Sequence, residues 1–110
     1  MRKRLMTVQQ LALVADRFKV LAEPARLQLL QVLMSGERTV GELTETTGLS
    51  QANVSKHLQL LLAHGLVARR KEGLFAWYSL ADESVFQLCE LVCARLETAA
   101  RERQRQLARG

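Results

Sequence analysis

The chain has 110 residues, which is long enough to form one hydrophobic core. Of these residues 48% are hydrophobic and 25% charged, a composition that excludes a disordered chain. The formal net charge of +5 favours a polyanionic partner such as a nucleic acid. Two cysteines are too few for a secreted disulfide scaffold, and no apolar run approaches the ~18 residues that span a bilayer, so we expect one cytoplasmic domain over residues 1–110, without a membrane partner.

Two amphipathic helices are predicted at the start of the chain. The first covers residues 7–21, and its apolar face is formed by Val8, Leu11, Val14, Ala15 and Phe18. Pro24 breaks this helix and suits the first turn of a second helix. The second helix ends before Gly36, and its apolar residues are Leu27, Leu30, Leu33 and Met34.

Residues 39–65 have the pattern of a helix-turn-helix. Thr39 and Glu42 are three residues apart and form a capping box, which begins a helix. Gly48 suits the left-handed residue that ends this helix, and Ser50 is a natural N-cap for the next one. Two short helices joined by so brief a link are typical of the motif that places its second helix in the major groove of DNA.

The second helix of this motif is predicted over residues 51–63, after a first over about 40–47. Its inward face carries Val54, Leu58 and Leu61. Small, hydroxyl and amide side chains on the other face suit contacts to base edges and phosphates. The candidate DNA-binding residues here are Ser50, Gln51, Ala52, Asn53, Ser55, Lys56 and Gln59. The alternative is an ordinary solvent-exposed face.

A basic hairpin is predicted after the helix-turn-helix, with strands over residues 66–71 and 74–80. It carries the cations Arg69, Arg70 and Lys71, which we expect to neutralise phosphates or enter the minor groove. Alternation along the strand sends Arg69 and Lys71 to one face and Arg70 to the other, so not all three need contact DNA. An unremarkable charged hairpin is the alternative.

From about residue 82 to 100 the pattern is helical again. Its apolar stripe is formed by Val85, Leu88, Cys89, Val92 and Leu96. Residues 99–110 are polar and rich in arginine, and we interpret them as a solvated tail rather than an extension of the helix. The predicted order is α-α-α-α-β-β-α, a mainly α winged helix-turn-helix with a β-hairpin wing over about 66–80. The first and last helices keep apolar faces that a monomer would expose, which predicts a homodimer formed through them.

Cys89 and Cys93 are one helical turn apart, on the same side of the last helix. This spacing is too rigid for a relaxed disulfide, but two thiolates can chelate a soft ion. At a dimer interface up to four thiols approach the two-fold axis, enough for a trigonal arsenite-like site or a tetrahedral site. The alternative is that both cysteines pack as small hydrophobic residues. His57 and His64 are two turns apart, too far to chelate one ion, which favours structural roles.

The chain resembles the ArsR/SmtB family of bacterial winged-helix repressors over roughly residues 8–98. The resemblance is carried by L-A-E-P-A-R-L-Q-L-L, V-G-E-L, G-L-S-Q-A-N-V-S-K-H-L, L-L-A-H-G-L-V and R-K-E-G-L-F-A-W-Y-S-L. It implies a dimeric repressor that leaves its operator when an inducer binds, often a metal ion or metalloid. The sequence has no Gly-rich phosphate loop and no H-E-x-x-H motif, so an enzyme is not expected.

The inducer sites of this family fit the chain only in part. The helix over residues 39–47 lacks the C-x-C thiol pair of one site, and residues 24–34 lack the cysteine of the sulfur-sensing members. Asp82 matches the last-helix site, but the histidines of that site are missing. We therefore predict a homodimeric repressor on double-stranded operator DNA, with arsenite or another thiophilic ion at Cys89 and Cys93 as inducer and no required cofactor.

Two alternatives are also compatible with the sequence. A thiol-based redox or sulfur-responsive repressor would use the same architecture and the same two cysteines. A winged-helix protein-interaction module would dock a protein on the surface that we assign to DNA. The polar helix face and the basic wing favour DNA over an apolar peptide.

Overall fold

The computed structural model describes residues 5–109, in which five helices and three strands follow one another. Their bounds are α1 (Val8–Leu21), α2 (Pro24–Leu33), β1 (Arg38–Thr39), α3 (Val40–Thr47), α4 (Gln51–Ala63), β2 (Val67–Glu72), β3 (Phe75–Leu80) and α5 (Ser84–Arg109). This confirms the predicted mainly helical winged helix-turn-helix and adds the short strand β1. None of the described helices is both long and apolar enough to cross a membrane. Residues 1–4 and 110 of the predicted domain lie outside the described residues.

The predicted caps of the helix-turn-helix are confirmed. The Glu42 amide donates to Thr39 Oγ1 at 3.2 Å, and the Thr39 amide donates to Glu42 Oε1 at 3.0 Å, which closes the capping box at the start of α3. Gly48 ends α3 with a φ of 75°. Glycine adopts this left-handed conformation without steric strain because it has no Cβ atom. The Asn53 amide then donates to Ser50 Oγ at 3.2 Å, so Ser50 is the N-cap of α4.

The core lies between α2, α3, α4 and the sheet. Its fully buried side chains are Leu29, Leu30, Leu43, Val54, Leu58, Leu61 and Leu66. Helix α1 adds only Val20 and Leu21, at its C-terminal end. The predicted apolar face of α1 is largely uncovered by this chain, since Val8 is 84% exposed and Phe18 50%.

The sheet is antiparallel, with the strand order β1-β3-β2. The hairpin turn lies one residue later than predicted, because Glu72 still pairs with Phe75 and only Gly73 and Leu74 are left to turn. Gly73 has a φ of 60°, and a two-residue type II′ turn requires such a Gly at its first central position. The sequence pattern missed β1, since two residues are too few to show an alternation.

The interpretation of residues 99–110 as a solvated tail is wrong for the part that the structure describes. Helix α5 continues to Arg109 and is 26 residues long. Residues 99–109 are mostly Ala, Arg, Glu and Gln, which have high helix propensity, and no Gly or Pro interrupts them. Their side chains are exposed, so the second half of α5 is a solvated helix.

Candidate nucleic-acid interface

The outer face of α4 is fixed by the burial of its inner face. Val54, Leu58 and Leu61 are 0% exposed, so the helix cannot rotate without opening the core. The candidate residues Gln51, Ala52, Asn53, Lys56 and Gln59 are exposed, and Ser55 is half-buried. Ser50 is exposed but its hydroxyl is used as the N-cap of the helix. The structure thus brings the predicted polar residues together on one surface.

The turn between α3 and α4 is held by hydrogen bonds of Thr47. Its hydroxyl donates to the Leu43 carbonyl at 2.7 Å and accepts from the Leu49 amide at 3.2 Å. Leu43 is fully buried and Leu49 packs against the core. These contacts fix the angle at which the N-terminal end of α4 leaves the body, which the insertion of a helix into a groove requires.

Two arginines that the sequence analysis missed connect α4 to the rest of the molecule. Arg26 donates to the Val20 carbonyl at 2.6 Å, and its Nη1 lies 3.3 Å from His57 Nδ1 on α4. Arg17 on α1 donates to the His64 carbonyl, at the end of α4, at 3.2 Å. No local pattern distinguishes these arginines from solvated ones. The His57 ring contacts Arg26, whereas His64 contributes its main-chain carbonyl.

Arg17 also reaches the start of α5. Its Nη1 lies 2.9 Å from Asp82 Oδ2, while Asp82 Oδ1 accepts a hydrogen bond from the Ser84 amide at 3.0 Å. The hydrogen bonds from the Ser84 hydroxyl and amide, followed by the charge of Arg17, lower the pKa of Asp82 below its ordinary value. Asp82 therefore stays ionised and links α1 to the first turn of α5.

The wing cations are divided between two faces, as the alternation predicted. On the outer face, Arg70 Nη2 lies 3.1 Å from Glu37 Oε1, and the guanidinium also pairs with Glu72. It lies 5.8 Å from the centre of the Trp77 ring. The hydrogen bond from Arg70 lowers the pKa of Glu37, which keeps the Glu37 carboxylate ionised at neutral pH.

On the other face of the wing, Arg69 lies opposite Tyr78 and Lys71 lies opposite Ala76. Arg69 and Lys71 are exposed, and within residues 5–109 neither forms a salt bridge. Both are thus available to a polyanion. Arg70 is less available, because a phosphate that binds it would have to compete with the carboxylates of Glu37 and Glu72.

Cys89 and Cys93 are both free thiols and lie beside two grooves along α5. One groove, of about 520 Å³, separates α5 from α2, and the other, of about 460 Å³, separates α5 from α1. Cys89 is half-buried and Cys93 is exposed. Cys93 Sγ lies 3.6 Å from Glu97 Oε1, and the negative charge and hydrogen bond of Glu97 raise the pKa of the Cys93 thiol.

This environment disfavours the Cys93 thiolate, which is the form that binds metals and attacks electrophiles. In the described part of the chain, no three His, Cys, Asp or Glu residues cluster closely enough to hold a metal ion. The pair thus offers two sulfur ligands per subunit. A complete three-coordinate site would need a further ligand from solvent or from a second subunit.

Comparisons with known proteins agree with this geometry. The profile of the family described as "Bacterial regulatory protein, arsR family" matches residues 23–69, from α2 into the wing. A probable mercury resistance operon repressor of Streptomyces lividans is 43% identical over 84 residues, which cover 76% of this chain and 67% of the relative.

Two solved structures extend the similarity. A homodimeric winged helix-turn-helix DNA-binding domain from Mycobacterium bovis is 33% identical, with a TM-score of 0.72 over 91% of this chain and 95% of the other. The AntR antimony-specific transcriptional repressor is 30% identical, with a TM-score of 0.77 over 92% of each chain. The shared sequence and fold identify the family, whose members are regulators and not enzymes. The chain is a member of the ArsR family of DNA-binding transcriptional regulators.

Proposed function

We propose that the chain is a homodimeric repressor that binds a pseudo-palindromic operator and leaves it when an inducer binds. The observation that carries the proposal is the polar outer face of α4, fixed over a fully buried inner face and flanked by the exposed cations Arg69 and Lys71. Repression is supported by the mercury and antimony repressors that the chain resembles. Such a protein works in the cytoplasm, where the bacterial genome lies.

In the proposed complex, α4 enters the major groove with its N-terminal end first. Gln51 and Asn53 then reach base edges or phosphates, and Lys56 and Gln59 follow one to two turns later on the same face. Ser50, Ala52 and Ser55 complete this surface as small residues that permit close approach. We confine the phosphate contacts of the wing to Arg69 and Lys71 and leave Arg70 in its ion pairs.

The dimer is proposed to form through α1 and α5. Apolar side chains on these helices are left exposed by a single chain, including Leu11 at 50%, Val92 at 51% and Leu96 at 65%. Exposed apolar surface of this extent is typical of a protein interface. The homodimeric neighbour from Mycobacterium bovis supports a homodimer. A two-fold dimer presents two copies of α4, which sets half-sites about one helical turn of ~34–36 Å, or a multiple of it, apart.

The inducer site is proposed at Cys89 and Cys93, which share the grooves between α5 and its neighbours. Thiols suit a soft ion such as arsenite, and the similarity to a probable mercury resistance operon repressor and to an antimony-specific repressor supports this class of ligand. The raised pKa of Cys93 implies that binding must displace a proton from that thiol. A shift of α5 would reach α4 through the Asp82–Arg17 pair and the hydrogen bond from Arg17 to the carbonyl of His64.

A mobility-shift assay on the DNA upstream of the chain's own gene tests the proposal. We expect a complex that weakens steeply as salt rises, because phosphate contacts release counterions. Arsenite, zinc, cadmium, persulfide and peroxide are then added in turn. Release by arsenite in the wild type, with retention in a Cys89→Ser, Cys93→Ser double variant, supports the thiol site.

Other outcomes point to the alternatives. Release by peroxide or persulfide alone would indicate the redox or sulfur-responsive repressor. Equal release of wild type and double variant by the same inducer would place the signal elsewhere. Absence of any salt-sensitive DNA complex would favour the protein-interaction module.

A further inference from the structure

The tip of the wing is apolar, although strand β2, which leads to it, is charged from Arg69 to Glu72. Leu74 is 99% exposed and Phe75 is 62% exposed. Glu72 pairs with Phe75, so Leu74 lies beyond the last paired residues and projects from the turn. The positive φ of Gly73 fixes this two-residue turn and hence the position of Leu74. Within the described residues, Leu74 packs against no part of the core.

The wing tip lies beside the start of the recognition helix. Leu74 and Phe75 line one side of a groove of about 310 Å³, and Thr39, Gly41 and Gln51 line the other. Gln51 is the first residue of α4. The apolar tip therefore continues the surface that belongs to the proposed DNA contact.

The charges of the hairpin indicate what covers this tip. Arg69 and Lys71 are exposed on the same strand pair and form no ion pair within residues 5–109. A polyanion satisfies these cations, whereas an apolar protein surface would leave them desolvated without partners. Because the tip lies beside Gln51, insertion of α4 into the major groove would bring the tip to the adjoining minor groove. Proteins that bind there use apolar side chains such as Leu and Phe as wedges between base steps.

We propose that Leu74 enters the minor groove beside each half-site as an apolar wedge and makes the protein selective for deformable base steps. Pyrimidine–purine steps such as TA and CA/TG unstack most easily and are the expected targets. This inference rests on the proposed function, because it requires the DNA complex. It adds a specificity determinant that makes no hydrogen bond to a base.

The experiment is a selection from a library of random DNA duplexes, carried out in parallel with wild type, Leu74→Ala and Leu107→Ala. Leu107, 77% exposed near the end of α5, provides a matched loss of an exposed leucine far from the wing. All three proteins should select the same half-site core. Wild type and Leu107→Ala should also enrich TA or CA/TG steps in the flanks, and Leu74→Ala should lose this enrichment.

Binding to two synthetic duplexes then gives the size of the effect. The affinity of the wild type should be roughly 5- to 100-fold higher for a duplex with a flanking TA step than for one with a stiff A-tract, which is the range for one mismatched base pair. Leu74→Ala should bind both duplexes with the same affinity. Equal flank preferences in wild type and Leu74→Ala would overturn the wedge while leaving the repressor intact. Failure of the wild type to select any duplex would overturn both.

Discussion

Arg70 and Glu37 form an ion pair on the outer face of the wing, with Arg70 Nη2 3.1 Å from Glu37 Oε1. Arg70 is therefore the one of the three consecutive wing cations whose charge is already compensated in the free protein. Glu72 adds a second carboxylate to the same guanidinium. The division between Arg70 and its two neighbours follows from the two-residue alternation of a strand.

We expect Lys71→Ala to weaken DNA binding and Arg70→Ala to change it little. Removing one phosphate contact lowers the slope of log affinity against log salt by about 1, and thus by about 2 in a dimer. Arg70→Ala removes a cation that is committed to carboxylates and should leave the slope unchanged. Fluorescence anisotropy over a salt series measures both. A larger loss of slope in Arg70→Ala than in Lys71→Ala would show that the outer face contacts DNA.

The dimer prediction concerns the exposed stripe of α5. Val92→Glu should place a charge in the apolar interface and give monomers, because a charge buried without a partner is strongly unfavourable. Val92 is already 51% exposed in the single chain, so the subunit should still fold. Gln87→Glu adds the same charge on another, exposed face of α5 and is the control. Sedimentation velocity at micromolar concentration should show dimers for Gln87→Glu and monomers for Val92→Glu. A monomeric wild type under the same conditions would disprove the interface.

The helix-turn-helix could be predicted from the sequence because its signals are local. The capping box of Thr39 and Glu42, the Gly48 C-cap and the Ser50 N-cap each depend on residues within four positions of one another. These signals fix where α3 begins and ends and where α4 begins. The exposed face of α4 then follows from helical periodicity.

The features that could not be predicted depend on contacts between distant residues. Strand β1 exists because Thr39 pairs with Trp77. The hydrogen bond of Arg17 to the end of α4 and the contact of Arg26 with His57 join residues far apart in the sequence and have no local signature. The exposure of Leu74 likewise depends on a turn position that the strand pattern misplaced by one residue.

The thiol environment leads to a prediction about reactivity. Glu97→Gln removes the negative charge that raises the pKa of Cys93, so a larger fraction of this thiol should be ionised near neutral pH. Alkylation by iodoacetamide, which requires the thiolate, should become faster in a Cys89→Ser background, where Cys93 is the only cysteine. Glu102→Gln, farther along the exposed face of α5, is the control and should not change the rate. An unchanged rate in Glu97→Gln would show that Glu97 does not act on the thiol in solution.

Asp82 gives a prediction about stability and pH. Asp82→Ala should cost about 1 kcal/mol, a typical value for losing a side-chain cap at a helix start. The pKa of Asp82 is lowered from 3.8 in the folded state, so its ionic contribution is present above that value and is lost as the pH falls through the lower folded-state pKa. The stability difference between wild type and Asp82→Asn should therefore be constant near neutral pH and shrink below about pH 4. Urea unfolding followed by circular dichroism tests this, and a difference that grows on acidification would contradict it.

The central claim is that the outer face of α4 reads DNA bases. It is tested most directly by the affinity of Gln59→Ala for a selected operator duplex and for a scrambled duplex of the same length and composition. We predict a loss of about 1–3 kcal/mol on the operator, as for a base contact, and almost none on the scrambled duplex, where phosphate contacts dominate. Gln106→Ala, an exposed residue near the end of α5, should bind both duplexes like the wild type. Unchanged affinity of Gln59→Ala and of Lys56→Ala for the operator would contradict the assignment of this face.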